Sequence, residues 1–184
     1  MNDLPSRHHY YVASPYKDFP FGHDAAAAAV ANVTAALLDK GYDVFSPIVH
    51  GHALSKTGLL RAHNGDHKFW LGIDRKYMDR ADALLVVRMD GWKESFGVKW
   101  EIDMFVLDRK PIYAIDPDTM FVESLPLEDR TPTFECVDMG GSWRFNCPHC
   151  ARAHVHGTGG GHVSAHCQVG SPYLDTGYIL KLKV

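Results

Sequence analysis

The chain has 184 residues, 46% of them hydrophobic and 22% charged, with a formal net charge of -3. That length can bury one ordinary core with a small appendage, and the charge argues against a broad electrostatic grip on nucleic acid. No apolar run approaches the roughly 20 residues of a membrane span. Met-Asn-Asp-Leu-Pro has no signal-peptide make-up, so a cytoplasmic protein without a membrane partner is expected.

In chain order, His8 to Ala13 reads as a first strand stopped by Ser14-Pro15, followed by a loop from Tyr16 to Gly22. Asp24 is an N-cap candidate for a helix over 25–40, because alanine has the highest helix propensity, and Gly41 is its stop. Tyr42 to Ile48 reads as a second strand with Pro47 near its end. The polar, histidine-rich stretch from Val49 to Asp66 reads as a long functional loop. Trp70, Ile73, Tyr77 and Met78 recur at helical spacing and predict a helix from His67 to Arg80. Ala83 to Val87 is short and apolar, as in a parallel strand covered on both faces. Asp90-Gly91 breaks that run, Ser95 caps a helix to about Arg109, and Pro111 to Asp116 forms a further strand. The alternation implies an α/β domain over residues 1–116, a Rossmann-like, mostly parallel sheet with helices on both faces.

After Asp116 the pattern changes. Residues 117–139 read as a connector, with a short strand at Phe134 to Val137, and residues 140–184 as a small β module that needs a staple. Cys147-Pro148-His149-Cys150 is a metal knuckle, followed by His154, His156, His162, His166 and Cys167. Cysteines so clustered argue for metal rather than disulfides, which suits a reducing compartment. A structural zinc needs four N or S ligands. The expected set is Cys147, Cys150, His156 and Cys167, with His154, His162 or His166 each able to replace one member. Tyr178 to Val184 would close a zinc-ribbon-like hairpin. Arg144, Arg152, Lys181 and Lys183 leave room for a weak nucleic-acid contact through this tail.

Glu101 falls in the second turn of the Ser95 helix, near the carboxyl end of its strand, where open α/β sheets keep their ligand sites. Ser95-Phe96-Gly97-Val98 followed by Glu101 resembles the Ser/Asp-x-Gly-x-x-x-Glu segment of the nucleoside 2-deoxyribosyltransferase superfamily. That superfamily includes the 2'-deoxynucleoside 5'-monophosphate N-glycosidases. Tyr10-Tyr11-Val12-Ala13-Ser14-Pro15-Tyr16 is similar to its first strand and loop, and Asp74 with Ala81-Asp82 to its middle segment. The resemblance spans roughly residues 8 to 116. Uncharacterised phage and bacterial members with Ser-Pro-Tyr, His-Gly-His and Asp-Gly-Trp segments are more similar still.

The resemblance implies cleavage or exchange of an N-glycosidic bond on a 2'-deoxynucleotide or nucleoside. A carboxylate attacks the anomeric carbon and an acid protonates the departing base. Glu101 is the implied nucleophile, Asp74 the group at the base, and Tyr10 the residue that holds Glu101. Ser95 stands where the monophosphate glycosidases have serine. With Ser14 and Gly97 at a helix N-terminus, it would favour a 5'-phosphate, and Lys17 or Lys93 would supply a cation. Pro15-Tyr16-Lys17 departs from the arginine-bearing loop of those glycosidases. Asp82, His50 or His52, and Trp92 complete the expected substrate contacts. A homo-oligomer is also implied. The alternative is a nucleotide-sensing module that kept the fold without turnover, in contact with nucleic acid through the zinc tail. A zinc-stabilised nucleic-acid adaptor is a third reading, which the net charge disfavours. An ionised Glu101 beside an anomeric carbon separates the enzyme from the binder.

Overall fold

Every residue of Ala83–Val87 is buried, as its unbroken apolar run predicts for a strand covered on both faces. The computed structural model describes residues 4–17, 19–63, 66–167 and 170–183. In it, this strand is the middle one of a five-stranded sheet. The elements that build the sheet are β1 (His9–Ala13), α1 (Gly22–Asp39), β2 (Asp43–Phe45), α2 (Pro47–Lys56), a 3-10 turn (Arg61–His63), α3 (His67–Arg80), β3 (Ala83–Val87), α4 (Phe96–Leu107), β4 (Ile112–Ile115) and β5 (Val122–Ser124). Strand order is β2-β1-β3-β4-β5, parallel except for the antiparallel edge strand β5. The order reverses direction between β1 and β3. In open α/β sheets such a reversal opens a crevice at the carboxyl ends of the two strands.

Side chains alternate between the faces of a strand, and β1 uses both. Tyr10 and Val12 join the core that Ala26, Val30, Val33 and Leu37 of α1 complete. Tyr11 points the other way, against Phe45 and Phe105, and reaches α4.

Two expectations change here. The second strand is only three residues long, and the expected loop after it is largely helix. Ser46 is its N-cap, with Oγ accepting the Val49 amide at 3.3 Å, and Pro47 opens the first turn. Serine followed by proline is a helix start, which a strand reading of the same proline conceals. Residues 64 and 65 of that stretch lie outside the described residues. Further back, α1 begins at Gly22 with Phe21 at the cap and no side-chain cap bond. Asp24 therefore sits inside the first turn and is free to pair elsewhere.

Two compact units divide the chain, 1–105 with 110–125 and 106–109 with 126–184. The stretch 117–139 is thus shared out rather than spent as a connector. Asp116 Oδ1 accepts the amides of Asp118 and Thr119 at 3.1 and 2.8 Å, a turn that returns the chain as β5 against β4.

The second unit begins with α5 (Leu127–Arg130) and β6 (Thr133–Asp138), and continues through β7 (Ser142–Asn146), β8 (Ala153–Gly157), β9 (Gly161–Val163), α6 (Tyr173–Thr176) and β10 (Tyr178–Leu182). Its sheet runs β8-β7-β6-β10-β9, with β10 parallel to β6 and the other pairs antiparallel. An aromatic cluster supplies much of its small core. Phe134 stacks on Phe145 at 4.7 Å, and Tyr178 meets both edge-on at 5.4 and 5.0 Å. Gly177 has φ +63, and a Cβ there would lie 2.6 Å from His162 Nε2 and 2.7 Å from the Val163 carbonyl, so only glycine fits. Val184, expected at the end of the last strand, lies outside the described residues. Among the described residues no helix is long and apolar enough to cross a membrane.

Candidate functional site

A pocket of about 970 Å³ opens in the first unit. Ser14 follows β1, and Ser95, Phe96 and Gly97 begin α4 after β3, so its wall includes both strand ends that the topology singles out. From α3 come Trp70, Leu71 and Asp74. Ile48, Gly51, His52, Ser55 and Lys56 form one face of α2, spaced at three and four residues. Gly51 lets the two helices approach: a Cβ there would lie 3.3 Å from the Trp70 ring.

Glu101 lies one turn beyond Gly97 on α4, in the pocket wall and 7% exposed. Tyr11 Oη donates to Glu101 Oε1 at 2.8 Å. Burial lifts the Glu101 carboxyl to about 8, against the pull of the Tyr11 hydrogen bond, and the nearby charge of Asp74 adds to the rise. Burial likewise lifts Asp74 to about 6. Tyr11 is pushed well above its ordinary value, first by burial and then by the charges of Glu101 and Asp74, so its phenol stays a donor.

The tyrosine that holds Glu101 is therefore Tyr11 and not Tyr10. Tyr10 lies on the opposite face of β1 and donates to the Pro5 carbonyl at 2.8 Å. A hydrogen bond to a charged group contributes about 1.5–3 kcal/mol. Tyr11→Phe should then raise the Glu101 titration by about one pH unit or more, since one unit is about 1.4 kcal/mol. Tyr10→Phe should leave it in place. Following the Glu101 carboxyl carbon by NMR across pH checks both.

Ser14, Ser95, Gly97, Asp74 and Glu101 come together in this pocket, and Lys17 lines it too. Ser14 Oγ is buried without a hydrogen-bond partner among the described residues. Ser95 Oγ accepts the Val98 amide at 3.4 Å, as an N-cap does. Three other expected contacts do not line the pocket. The Asp82 carboxylate accepts the His9 amide at 2.8 Å and ties β1 to the start of β3. His50 packs beside Phe45 and Tyr77. Trp92 lies beneath the cations of Arg88 and Lys93.

A cluster that the sequence pattern does not announce stands in the same wall. Tyr16 stacks on His23 at 4.5 Å, and its Oη is 2.9 Å from His52 Nδ1. His52 Nε2 faces Asp24 Oδ1 at 3.3 Å, and Lys56 Nζ donates to the same oxygen at 2.5 Å. The bond from Lys56 holds Asp24 below the usual carboxylate range.

In the second unit, the ligand atoms of Cys147, Cys150, His154 and Cys167 all lie within 4.8 Å of one another, a cluster that could hold a metal ion. Cys147 Sγ is 3.8 Å from Cys167 Sγ, and Cys150 Sγ is 3.3 Å from His154 Nε2. The turn of the knuckle is closed by the Ala151 amide donating to the Cys147 carbonyl at 2.9 Å, with Ala151 at φ +55. The histidine of the cluster is His154 and not the expected His156. Both point inward from β8, but His154 is two residues nearer the knuckle and lies opposite Phe145, whereas His156 lies opposite Trp143. His156 Nε2 meets Tyr178 Oη at 2.7 Å instead. His162 and His166 are engaged elsewhere too. His162 Nε2 donates to the Thr176 carbonyl at 2.9 Å, and His166 stacks on His156 at 4.7 Å.

A four-strand parallel core whose pocket holds a buried Glu101 and a half-buried Asp74 near its reversal point is one class of α/β domain. Residues 8–116 match a domain of unknown function, DUF1937, and the chain belongs to that family. The matched residues cover β1 to β4 and the pocket, and end before the cysteine cluster. No curated protein matches the chain.

Proposed function

We propose that the pocket cleaves, or exchanges, the N-glycosidic bond of a 2'-deoxynucleotide through a covalent glycosyl ester on Glu101. The observation that carries this reading is the pair itself: Glu101 buried in a pocket wall, bonded to Tyr11 and sensing the charge of Asp74. In the forward step a Glu101 oxygen bonds to the anomeric carbon as the bond to the base breaks, and the base leaves with the proton of Asp74. Water, or a second base, then takes the sugar from Glu101.

A 5'-phosphate suits the start of α4 in the same pocket. First-turn amides of an α-helix lack intrahelical partners and favour anions, and Ser95 and Gly97 stand at that turn. The buried Ser14 Oγ gains a partner when a phosphate oxygen or sugar hydroxyl is bound. The test is free-base release from a panel of deoxynucleosides and their 5'-monophosphates, by wild type and Glu101→Ala. Release by wild type alone supports the enzyme. Release from neither protein, with nucleotide binding kept in both, moves the assignment to a nucleotide sensor. One observation favours that second reading: at pH 7 the free Glu101 keeps its proton and would act as a hydrogen-bond donor.

The same values set a pH profile. Near neutrality the pair holds one proton, mostly on Glu101, whereas chemistry needs it on Asp74. Both arrangements carry one proton between them, so their populations rise and fall together. The expected kcat/KM is a bell with limbs near 6 and 8, falling below 6 as both acids protonate and above 8 as both ionise. A rate that keeps climbing past the upper limb removes Asp74 as the acid.

For the cysteine cluster we assign a structural zinc held by Cys147, Cys150, His154 and Cys167. Three thiolates and one imidazole are the closed, soft donor set that zinc takes in structural sites, with no position left for substrate. Free thiols of this kind persist in a reducing cytoplasm.

A further inference from the structure

We propose that Tyr178 and His156 together select the ring tautomer with which His154 binds metal, so that His156, although not a ligand, controls metal affinity. The inference rests on the metal reading of the cysteine cluster.

Tyr178 Oη lies 3.2 Å from His154 Nδ1 and 2.7 Å from His156 Nε2, and all three side chains are buried. His154 turns its other nitrogen, Nε2, toward Cys150 Sγ. A neutral imidazole carries one ring proton, so Nε2 can bind a metal only when that proton is on Nδ1. The Nδ1–H group then donates to Tyr178 Oη. A phenol has a single proton, and Tyr178 must aim it away from Nδ1. Among the described residues, the acceptor within reach is His156 Nε2, which is available when His156 keeps its own proton on Nδ1. One chain of donors results: His154 to Tyr178, and Tyr178 to His156.

The opposite chain has His156 Nε2–H donating to Tyr178 and Tyr178 donating to His154 Nδ1. It leaves the His154 proton on Nε2, aimed at the sulfur atoms, and blocks ligation. The two chains exclude each other. Tyr178 cannot easily move out of the conflict, because Phe134, Phe145 and Tyr173 surround its ring at 5.4, 5.0 and 6.1 Å. His156 is held as well, with His166 stacked at 4.7 Å. Without an acceptor at position 156, the phenol turns its proton to His154 Nδ1 and favours the blocked tautomer. Partners of this outer kind typically change metal affinity by about 10–100-fold.

The experiment titrates zinc into the full chain against a chromophoric chelator, for wild type, His156→Leu and His156→Gln. Wild type should bind one zinc. The leucine variant should bind about tenfold or more weakly, and the glutamine variant, whose amide oxygen accepts from Tyr178, should stay within about threefold of wild type. Nitrogen-15 spectra of zinc-loaded wild type give a second readout that does not depend on the variants folding: His154 and His156 should both carry the ring proton on Nδ1. Equal affinity in all three proteins, or a proton on His156 Nε2 in the loaded protein, overturns the proposal and leaves the metal site standing. A wild-type chain that binds no zinc overturns the metal reading, and this inference with it.

Discussion

Glu101→Gln should abolish base release, lowering kcat by about 1000-fold or more, and should also make the protein more stable at alkaline pH. The first effect follows from the proposed chemistry, because an amide oxygen cannot form the glycosyl ester. The second follows from burial. In the folded chain the Glu101 carboxyl titrates at about 8, against an ordinary 4.5. Between those values the folded state holds a proton that the unfolded state has released. Stability therefore falls as the pH rises through that window, by up to about 1.4 kcal/mol per unit, and is fully present below it. Glutamine keeps the size of the side chain and an oxygen for Tyr11 to donate to, but never has to ionise. Wild type and variant should be about equally stable near pH 4.5, with the variant pulling ahead through pH 8. Urea melts at pH 5, 7 and 9 beside base-release assays measure both. A buried acid that serves only the fold would give the stability gain with activity unchanged. Activity retained in the variant therefore removes Glu101 as the nucleophile. A flat stability difference would mean that the carboxyl is not a costly buried charge.

The strongly patterned elements were legible in the sequence: β3 from its apolar run, α3 from its spacing, and α4 from Ser95. The sequence also placed the Ser95 turn at the carboxyl end of its strand, but the reversal between β1 and β3, which brings Ser14 and Ser95 to one pocket, is read from the strand order of the fold. What failed was the choice between near neighbours. Tyr10 and Tyr11 are adjacent on a strand buried on both faces, so no hydrophobic pattern says which of them meets α4. His154 and His156 share a face of β8 by the same alternation. Distance from the knuckle decides between them, a three-dimensional fact.

The helix α2 differs from these cases, because its signal is present in the sequence. Ser46-Pro47 starts it, and positions 48, 51, 52, 55 and 56 then form one face. By composition alone, the His50-Gly51-His52 run in this stretch resembles a loop. A helix over this stretch decides between the two expected histidines, putting His52 in the pocket wall and His50 off it. Residues 117–139 hid a three-residue edge strand, too short for any period to show.

Stripping the proposed zinc, or substituting Cys150→Ser, should unfold the second unit. Below about 70–80 residues a single core rarely supplies more than about 3–5 kcal/mol, and this unit comprises only 106–109 with 126–184. An aromatic cluster supplies much of its core, and the cysteine cluster lies beside it: His154 meets Phe145 edge-on at 5.3 Å and Tyr178 at 3.2 Å through Nδ1. A metal present at 1000 times its Kd contributes about 4.1 kcal/mol. That is the whole of what such a core provides. Loss of one thiolate ligand that weakens binding by this factor would then bring the unit to the edge of unfolding. The measurement is amide dispersion of residues 133–182 by NMR, with and without a strong chelator, alongside zinc content per chain. Cys136→Ser is the control, because its sulfur lies outside the cluster and approaches the Phe134 carbonyl at 3.7 Å. It should keep one zinc per chain, whereas Cys150→Ser should lose zinc and dispersion together. Dispersion that survives complete metal removal would show that the aromatic core holds the unit by itself. The cysteines would then need a role other than that of a staple.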